Sequence, residues 1–468
     1  MRRVAIQKAC FQVRFYSGIR PGVQCRTLTN PIYGKEPKYV SADEAVSSIK
    51  SNEHIHIHGA PSTPSDLMAA LGRHILNKDL TGLKASHIIL TGEIPWTDKK
   101  FYSRIRSNCL FICAGMRKLV NSGAADYTPV FLQDIIKLYD DKIIPVDVSL
   151  VTVSPPDEHG YCSLGLNVDC TSAAVRNSKR IIAAVNPNMP KTFGDSTIHI
   201  SQFDAVCKSD VPVMELPKVQ PSPEETAISK HIAENLVDDY ATLQMGIGSI
   251  PDCVLSLLTN HKELGVHTEL VSSGVIDLIE KNVLTNSRKA IDQGKIVTSF
   301  AMGTRKFYDL IDNNQLFVFA SSAYTNNFHT IVAQSNMTAI NSAIEIDLAG
   351  QVVSDTIGKN FYSGFGGQVD FINAASQALD GKGKAILALP SRTAKKQPKI
   401  VPFIQEGAGV VTTRAHVHYV VTEQGIANLF GKSVRQRAYE LIKIAHPDDR
   451  EKLEKAAFAR FKCMPTRD

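Results

Sequence analysis

No run of eighteen apolar residues occurs in the chain, so no segment is expected to span a membrane. C-x-x-C pairs are also absent. Nine cysteines are scattered through 468 residues, with Cys109 and Cys113 among the closest. An odd count in so long a chain points to reduced thiols and leaves no cysteine-built zinc site. Acids are missing from residues 1–34, which carry Arg2, Arg3, Lys8, Arg14, Arg20 and Arg26 before the first acid, Glu36. Removing those six from 52 Lys and Arg leaves 46 against 46 Asp and Glu, so the +6 charge belongs to the leading segment. The neutral body gives no basic surface for nucleic acid.

An Arg-rich, acid-free start with Val4, Ala5, Phe11 and Val13 interleaved predicts a mitochondrial transit peptide. Arg14-Phe-Tyr-Ser17 resembles a matrix-processing pattern and places a cut after Tyr16 or a little later. The expected location is the mitochondrial matrix. Length alone argues for two domains in the remainder. Pro217 to Glu224, with three prolines, is the best boundary, giving a leader and linker over 1–34 and domains over 35–220 and 221–468.

The chain is organised around Leu243-Gln-Met-Gly-Ile-Gly-Ser-Ile-Pro251 and Gly265-Val-His-Thr-Glu-Leu-Val-Ser-Ser-Gly274. The first reads as a strand entering a glycine turn, with a helix opening at Pro251 and Asp252. Bare backbone N–H groups ahead of a helix favour negative charge. The second predicts a strand over 266–271 carrying one acid, Glu269, near its C-terminal end, where ligands of open α/β sheets gather. Three readings stand: a dinucleotide site, a structural turn, or a site in which Glu269 does chemistry. Against the first, the third glycine of G-x-G-x-x-G is missing and Pro251 stands in its place.

Gly59-x-x-Ser62-x-Pro64 repeats Gly246-x-x-Ser249-x-Pro251 at an offset of 187 residues, each between a strand and a helix. A duplicated α/β domain is expected, with no acid at the first copy's equivalent of Glu269. His54-Ile-His-Ile-His58 alternates three histidines onto one strand face. They read as packing partners more readily than as a metal site, because Glu53 falls on the other face. Alternation and β-branching predict further strands at Val148–Val153, Arg180–Val185, Phe317–Ala320, Ala343–Asp347 and Lys384–Pro390. A second glycine turn, Tyr362-Ser-Gly-Phe-Gly-Gly367, precedes a helix.

These words, in this order, resemble the acetyl-CoA hydrolase/transferase family, which includes 4-hydroxybutyrate and acetate:succinate CoA-transferases. The resemblance rests on Ser154-Pro-Pro-Asp-Glu-His-Gly-Tyr-Cys-Ser-Leu-Gly165, Met245-Gly-Ile-Gly-Ser-Ile-Pro-Asp252, His267-Thr-Glu269, Asn341-Ser-Ala-Ile-Glu-Ile-Asp-Leu-Ala-Gly-Gln-Val352, Gly364-Phe-Gly-Gly-Gln-Val-Asp-Phe371 and Val421-Thr-Glu-Gln-Gly425. It implies two similar open α/β domains with the active site in the cleft between them. It assigns Glu269 as nucleophile, Gln244, Met245, Gly246, Ile247, Gly248, Gly364, Gly366, Gly367 and Lys395 to CoA, and Asn326 to the small carboxylate. CoA is implied as substrate, with no tightly bound cofactor and no metal. Acetyl-CoA and succinate are the expected pair, and a homodimer is left open. An acetyl-CoA hydrolase using the same glutamate is the alternative; a silent CoA-binding regulator and an oxidoreductase are remoter ones.

Overall fold

The computed structural model describes residues 25–217 and 219–468. Most of the expected leader lies outside the described residues. Its last part is hydrogen-bonded to the body of the protein. Arg26 donates to the carbonyls of Gln202 and Lys179, the Ile32 N–H donates to Ser201 Oγ at 2.8 Å, and Gln202 Nε2 donates to the Asn30 carbonyl at 2.7 Å.

Aliphatic strands buried on both faces suit a parallel sheet covered by helices. Val148–Val153, buried along its whole length, is such a strand. It sits in an all-parallel eight-stranded sheet of spatial order Lys38–Tyr39, Ala205–Lys208, Arg180–Val185, Val148–Val153, His54–Ile57, Leu83–His87, Ile105–Cys109 and Asp126–Tyr127. The second lobe holds a six-stranded sheet of order Gly265–Val266, Thr242–Met245, Met337–Ser342, Lys384–Ala388, Tyr419–Thr422 and Gly425–Asn428, antiparallel only at the last pair. The strands that end at Gly59 and Gly246 hold equivalent places. Each lies between the strand that follows it in sequence and the one that starts the next crossover. The duplication is therefore visible in topology as well as in words.

The strand expected over 266–271 is divided. Gly265–Val266 pairs with Thr242–Met245, whereas Leu270–Ser272 pairs with Phe300–Met302 in a separate two-stranded sheet. Glu269 occupies the break, where the chain leaves one neighbour for another. Residues on both sides of the break are buried, and no period-two pattern runs through 265–272, so periodicity does not reveal it. The helix after Gly248 also begins earlier than expected, spanning Ser249–Leu257. Pro251 falls within its first turn, where an absent N–H costs nothing.

Three large apolar clusters fill the protein. One lies within each lobe, and a third joins Val151, Leu164 and Leu166 to Leu243, Val254, Val271 and Phe317. The small strand Phe193–Gly194 of the first half pairs with Phe317–Phe319 of the second. The lobes thus share a core as well as a cleft. Of the three histidines, His56 hydrogen-bonds Tyr139 and Thr171, and His58 Nε2 meets the Asn167 carbonyl at 2.7 Å. The described cysteines are all free.

Candidate active site

The strand break, the two glycine loops and residues of the first lobe enclose one cavity of about 550 Å³. Gln244 to Pro251 forms one wall, Gly364 and Gly367 another, and Ile89 and Phe111 enter from the first lobe. Glu269 lies between these walls. Its backbone is rigidly tied: the carbonyl accepts from the Ser299 N–H at 2.9 Å, the Phe300 N–H at 3.0 Å and Thr298 Oγ1 at 3.0 Å. The side chain is free to project into the cavity.

There the half-buried carboxylate opens to the cavity and is otherwise surrounded by protein. Burial pushes its pKa up to about 7, and the charge of Asp169 adds to the rise. Two donors work against burial. Asn326 Nδ2 lies 3.3 Å from Oε2, and the Gly367 N–H also points at the carboxylate. Asn326 is itself oriented by its neighbours. Thr325 Oγ1 donates to its Oδ1 at 2.8 Å, leaving Nδ2 to face Glu269 and, at 3.1 Å, Asp370 Oδ2. His267, kept neutral by burial, holds the Thr325 carbonyl through Nε2 at 2.8 Å and so fixes the turn that carries Asn326. Asp370, in the first turn of the helix Gln368–Ser376, is pushed up to about 8, chiefly by burial.

The two glycine loops need glycine for different reasons. A Cβ at Gly367 would collide with Glu269 Oε2 and Asn326 Nδ2, so the loop can sit on the acid only without a side chain. At Gly246 a Cβ would meet nothing within 4 Å, and the same space stands open above Gly248. No protein neighbour excludes a side chain at Gly246; a ligand approaching its backbone closely would. Gln244 is anchored beneath that loop, its Oε1 accepting from Asn341 Nδ2 at 2.8 Å. Met245 and Ile247 complete the same wall. Gly366 (φ +53°) turns the second loop over the carboxylate, and Gly364 packs against Phe111.

Lys395 does not join this group. It is exposed on a tight turn closed by the Thr393 N–H to the Gln397 carbonyl at 2.8 Å, and it is not among the residues lining the cavity. Lys399, four residues on, does line it, and burial lowers its pKa to about 8. No motif in the sequence separates these two lysines. Asp370 lies within the glycine motif of residues 364–371, whereas nothing local in the sequence marks Phe111 as part of the site.

Residues 33–216 match the acetyl-CoA hydrolase/transferase N-terminal domain, and residues 303–457 match the corresponding C-terminal domain. A succinyl-CoA:acetate/propanoyl-CoA:succinate CoA transferase of Fasciola hepatica is 49% identical over 438 residues, covering 93% of this chain and 91% of that protein. The chain belongs to the acetyl-CoA hydrolase/transferase family. A 4-hydroxybutyrate coenzyme A transferase of Clostridium kluyveri is 44% identical over 91% of this chain and 98% of its own length. The crystal structure of RipA from Yersinia pestis superimposes with a TM-score of 0.84 at 35% identity, covering 90% of this chain and 97% of that one. Membership makes the protein an enzyme that moves CoA between an acyl-CoA and a carboxylate. Enzymes of this family take CoA thioesters as substrates and hold no tightly bound cofactor. Among the described residues no group of three or more His, Cys, Asp or Glu could hold a metal ion, and no helix is long and apolar enough to cross a membrane.

Proposed function

We propose that Glu269 is the nucleophile of a mitochondrial enzyme that carries CoA from acetyl-CoA to succinate. One observation carries the assignment: an enclosed carboxylate faces two backbone-donor loops across a ligand-sized cavity. The other acid of the wall, Glu225, is occupied, accepting from Ser249 Oγ at 2.5 Å and from the Ser222 N–H at 2.8 Å.

In the first step a Glu269 oxygen attacks the acetyl carbonyl and the C–S bond breaks, giving an acetyl-glutamyl anhydride and CoA thiolate. The thiolate then attacks the glutamyl carbonyl. Acetate leaves and a glutamyl-CoA thioester remains. Succinate repeats the sequence in reverse: its carboxylate displaces thiolate, and thiolate then takes the succinyl group and frees Glu269. One thioester replaces another, so no ATP is consumed. Each tetrahedral intermediate carries an oxyanion, which aligned donors stabilise by roughly 3–4 kcal/mol. Asn326 Nδ2 and the Gly367 N–H stand beside the glutamyl carbonyl for this work. Asn326 also serves the bound carboxylate in this reading. Gln244 to Gly248 and the 364–367 loop hold CoA, and Lys399 is the cation better placed than Lys395 for its acidic groups.

The choice of acetyl-CoA and succinate reads the Fasciola relative's succinyl-CoA:acetate transfer in reverse, together with the matrix address, and that address rests on the leading sequence alone. Product analysis tests the choice. Purified enzyme with acetyl-CoA and succinate is expected to yield succinyl-CoA and acetate in equal amounts. Free CoA accumulating without succinyl-CoA would establish the hydrolase instead.

A further inference from the structure

A strap of the second lobe, residues 356–367, runs into the cavity wall, which it joins at Ser363, Gly364, Phe365 and Gly367. It starts as a hairpin, Thr356–Ile357 paired with Asn360–Phe361, and ends in the glycine loop seated on Glu269. Although it belongs to the second lobe, a series of its attachments reaches the first. Asn121 Nδ2 donates to the Phe361 carbonyl at 2.8 Å, and the Phe361 N–H donates back to Asn121 Oδ1 at 2.9 Å. One side-chain amide thus pairs with the strap as a neighbouring strand would. Arg117 Nε donates to the Tyr362 carbonyl at 2.6 Å while its guanidinium lies 3.6 Å from the centre of the Tyr362 ring. Tyr127 meets Phe361 edge-on at 5.4 Å, and Phe131 packs on Phe365 at 5.6 Å.

A core shared by both lobes resists their swinging apart as rigid bodies. Access to Glu269 then depends on the loops that wall the cavity. The strap is thin, its hairpin strands are largely exposed, and side-chain fastenings hold it. Fastenings of this kind open at little cost beside a buried core. Water that reaches a glutamyl-CoA thioester attacks its carbonyl and breaks the C–S bond. CoA leaves as the thiol with one proton of the water, Glu269 returns as carboxylate, and the second proton goes to solvent.

We propose that Arg117 and Asn121 are positioning residues that strap the 360–362 segment to the first lobe and keep the glycine loop closed over the intermediate. They thereby set how often it is taken by a carboxylate and how often by water. The inference rests on Glu269 forming the thioester, a step that wild-type enzyme tests separately by borohydride trapping.

The decisive quantity is the ratio of free CoA to succinyl-CoA formed by the full chain from acetyl-CoA and succinate. In the double variant Arg117→Ala/Asn121→Ala the ratio is expected to rise several-fold while the thioester still forms. Lys118→Ala, an exposed neighbour on the same helix, should leave it unchanged. Asn121→Gln, which keeps an amide but misplaces it, should raise the ratio to a smaller extent and serves if the double variant does not fold. If both products fall together at a constant ratio, the strap is structural only and the proposal is overturned. A wild type that traps no thioester would instead remove the Glu269 mechanism on which the proposal stands.

Discussion

Glu269 is held by its backbone, and its carboxylate meets two donors in a site where burial raises its pKa from 4.5 to about 7. Between those values the folded protein binds the proton and the unfolded chain does not. Stability from this group is therefore fully present below about pH 4.5 and is lost as pH rises through 7. Glu269→Gln removes the buried charge. It is expected to be inactive and, at about pH 8, more stable than wild type by up to ~3 kcal/mol, with the gap closing towards pH 4.5. Thermal unfolding at both pH values checks this, and a variant less stable at pH 8 would contradict it. The same shift predicts the rate profile. Because only the ionised carboxylate attacks, thioester formation should climb between about pH 6 and pH 8 with a midpoint near 7. At Gly367 an added methyl meets Glu269 and Asn326 directly. Gly367→Ala should therefore lower kcat by about 100-fold, the usual cost of displacing a reacting group by an ångström.

At the scale of elements, the strands Val148–Val153 and Arg180–Val185 follow from their aliphatic and β-branched residues, and the structure has them at those limits. The glycine turns after Met245 and before Gln368 were legible for a similar reason, since few contexts other than a turn place glycines so densely. What periodicity could not show is which strand pairs with which. The chain changes neighbours at Glu269, and a short buried run reads the same with either partner. The two lysines illustrate the same limit. Lys395 and Lys399 stand in one basic loop, and only the turn closed between Thr393 and Gln397 decides that the first faces solvent and the second the cavity. Lys399→Met is accordingly expected to raise KM for acyl-CoA about tenfold or more, as loss of a charge-assisted contact does, whereas Lys395→Met should change it little. Equal effects at both positions, or the reverse order, would contradict the placement. Phe111 lies far in sequence from the loop it touches, and only the fold brings Gly364 against it.

The whole molecule is two α/β lobes with equivalently placed glycine-turn strands, joined by a common core, with Glu269 in the second lobe alone. Leu243, fully buried in the cluster that spans both lobes, belongs to the strand leading to the first glycine loop. Leu243→Ala should destabilise the protein by roughly 2–5 kcal/mol and lower the melting of both lobes together. Two separate transitions in calorimetry would show instead that the lobes unfold independently. In the proposed mechanism, the cleft between the two lobes lets one glutamate carry CoA. The most direct test is intact-protein mass after mixing enzyme with acetyl-CoA and adding borohydride. Reduction of a glutamyl-CoA thioester to the alcohol should lower the mass by about 14 Da at Glu269, with no change in Glu269→Ala. Turnover of acetyl-CoA and succinate with an unaltered mass at Glu269 would contradict the account.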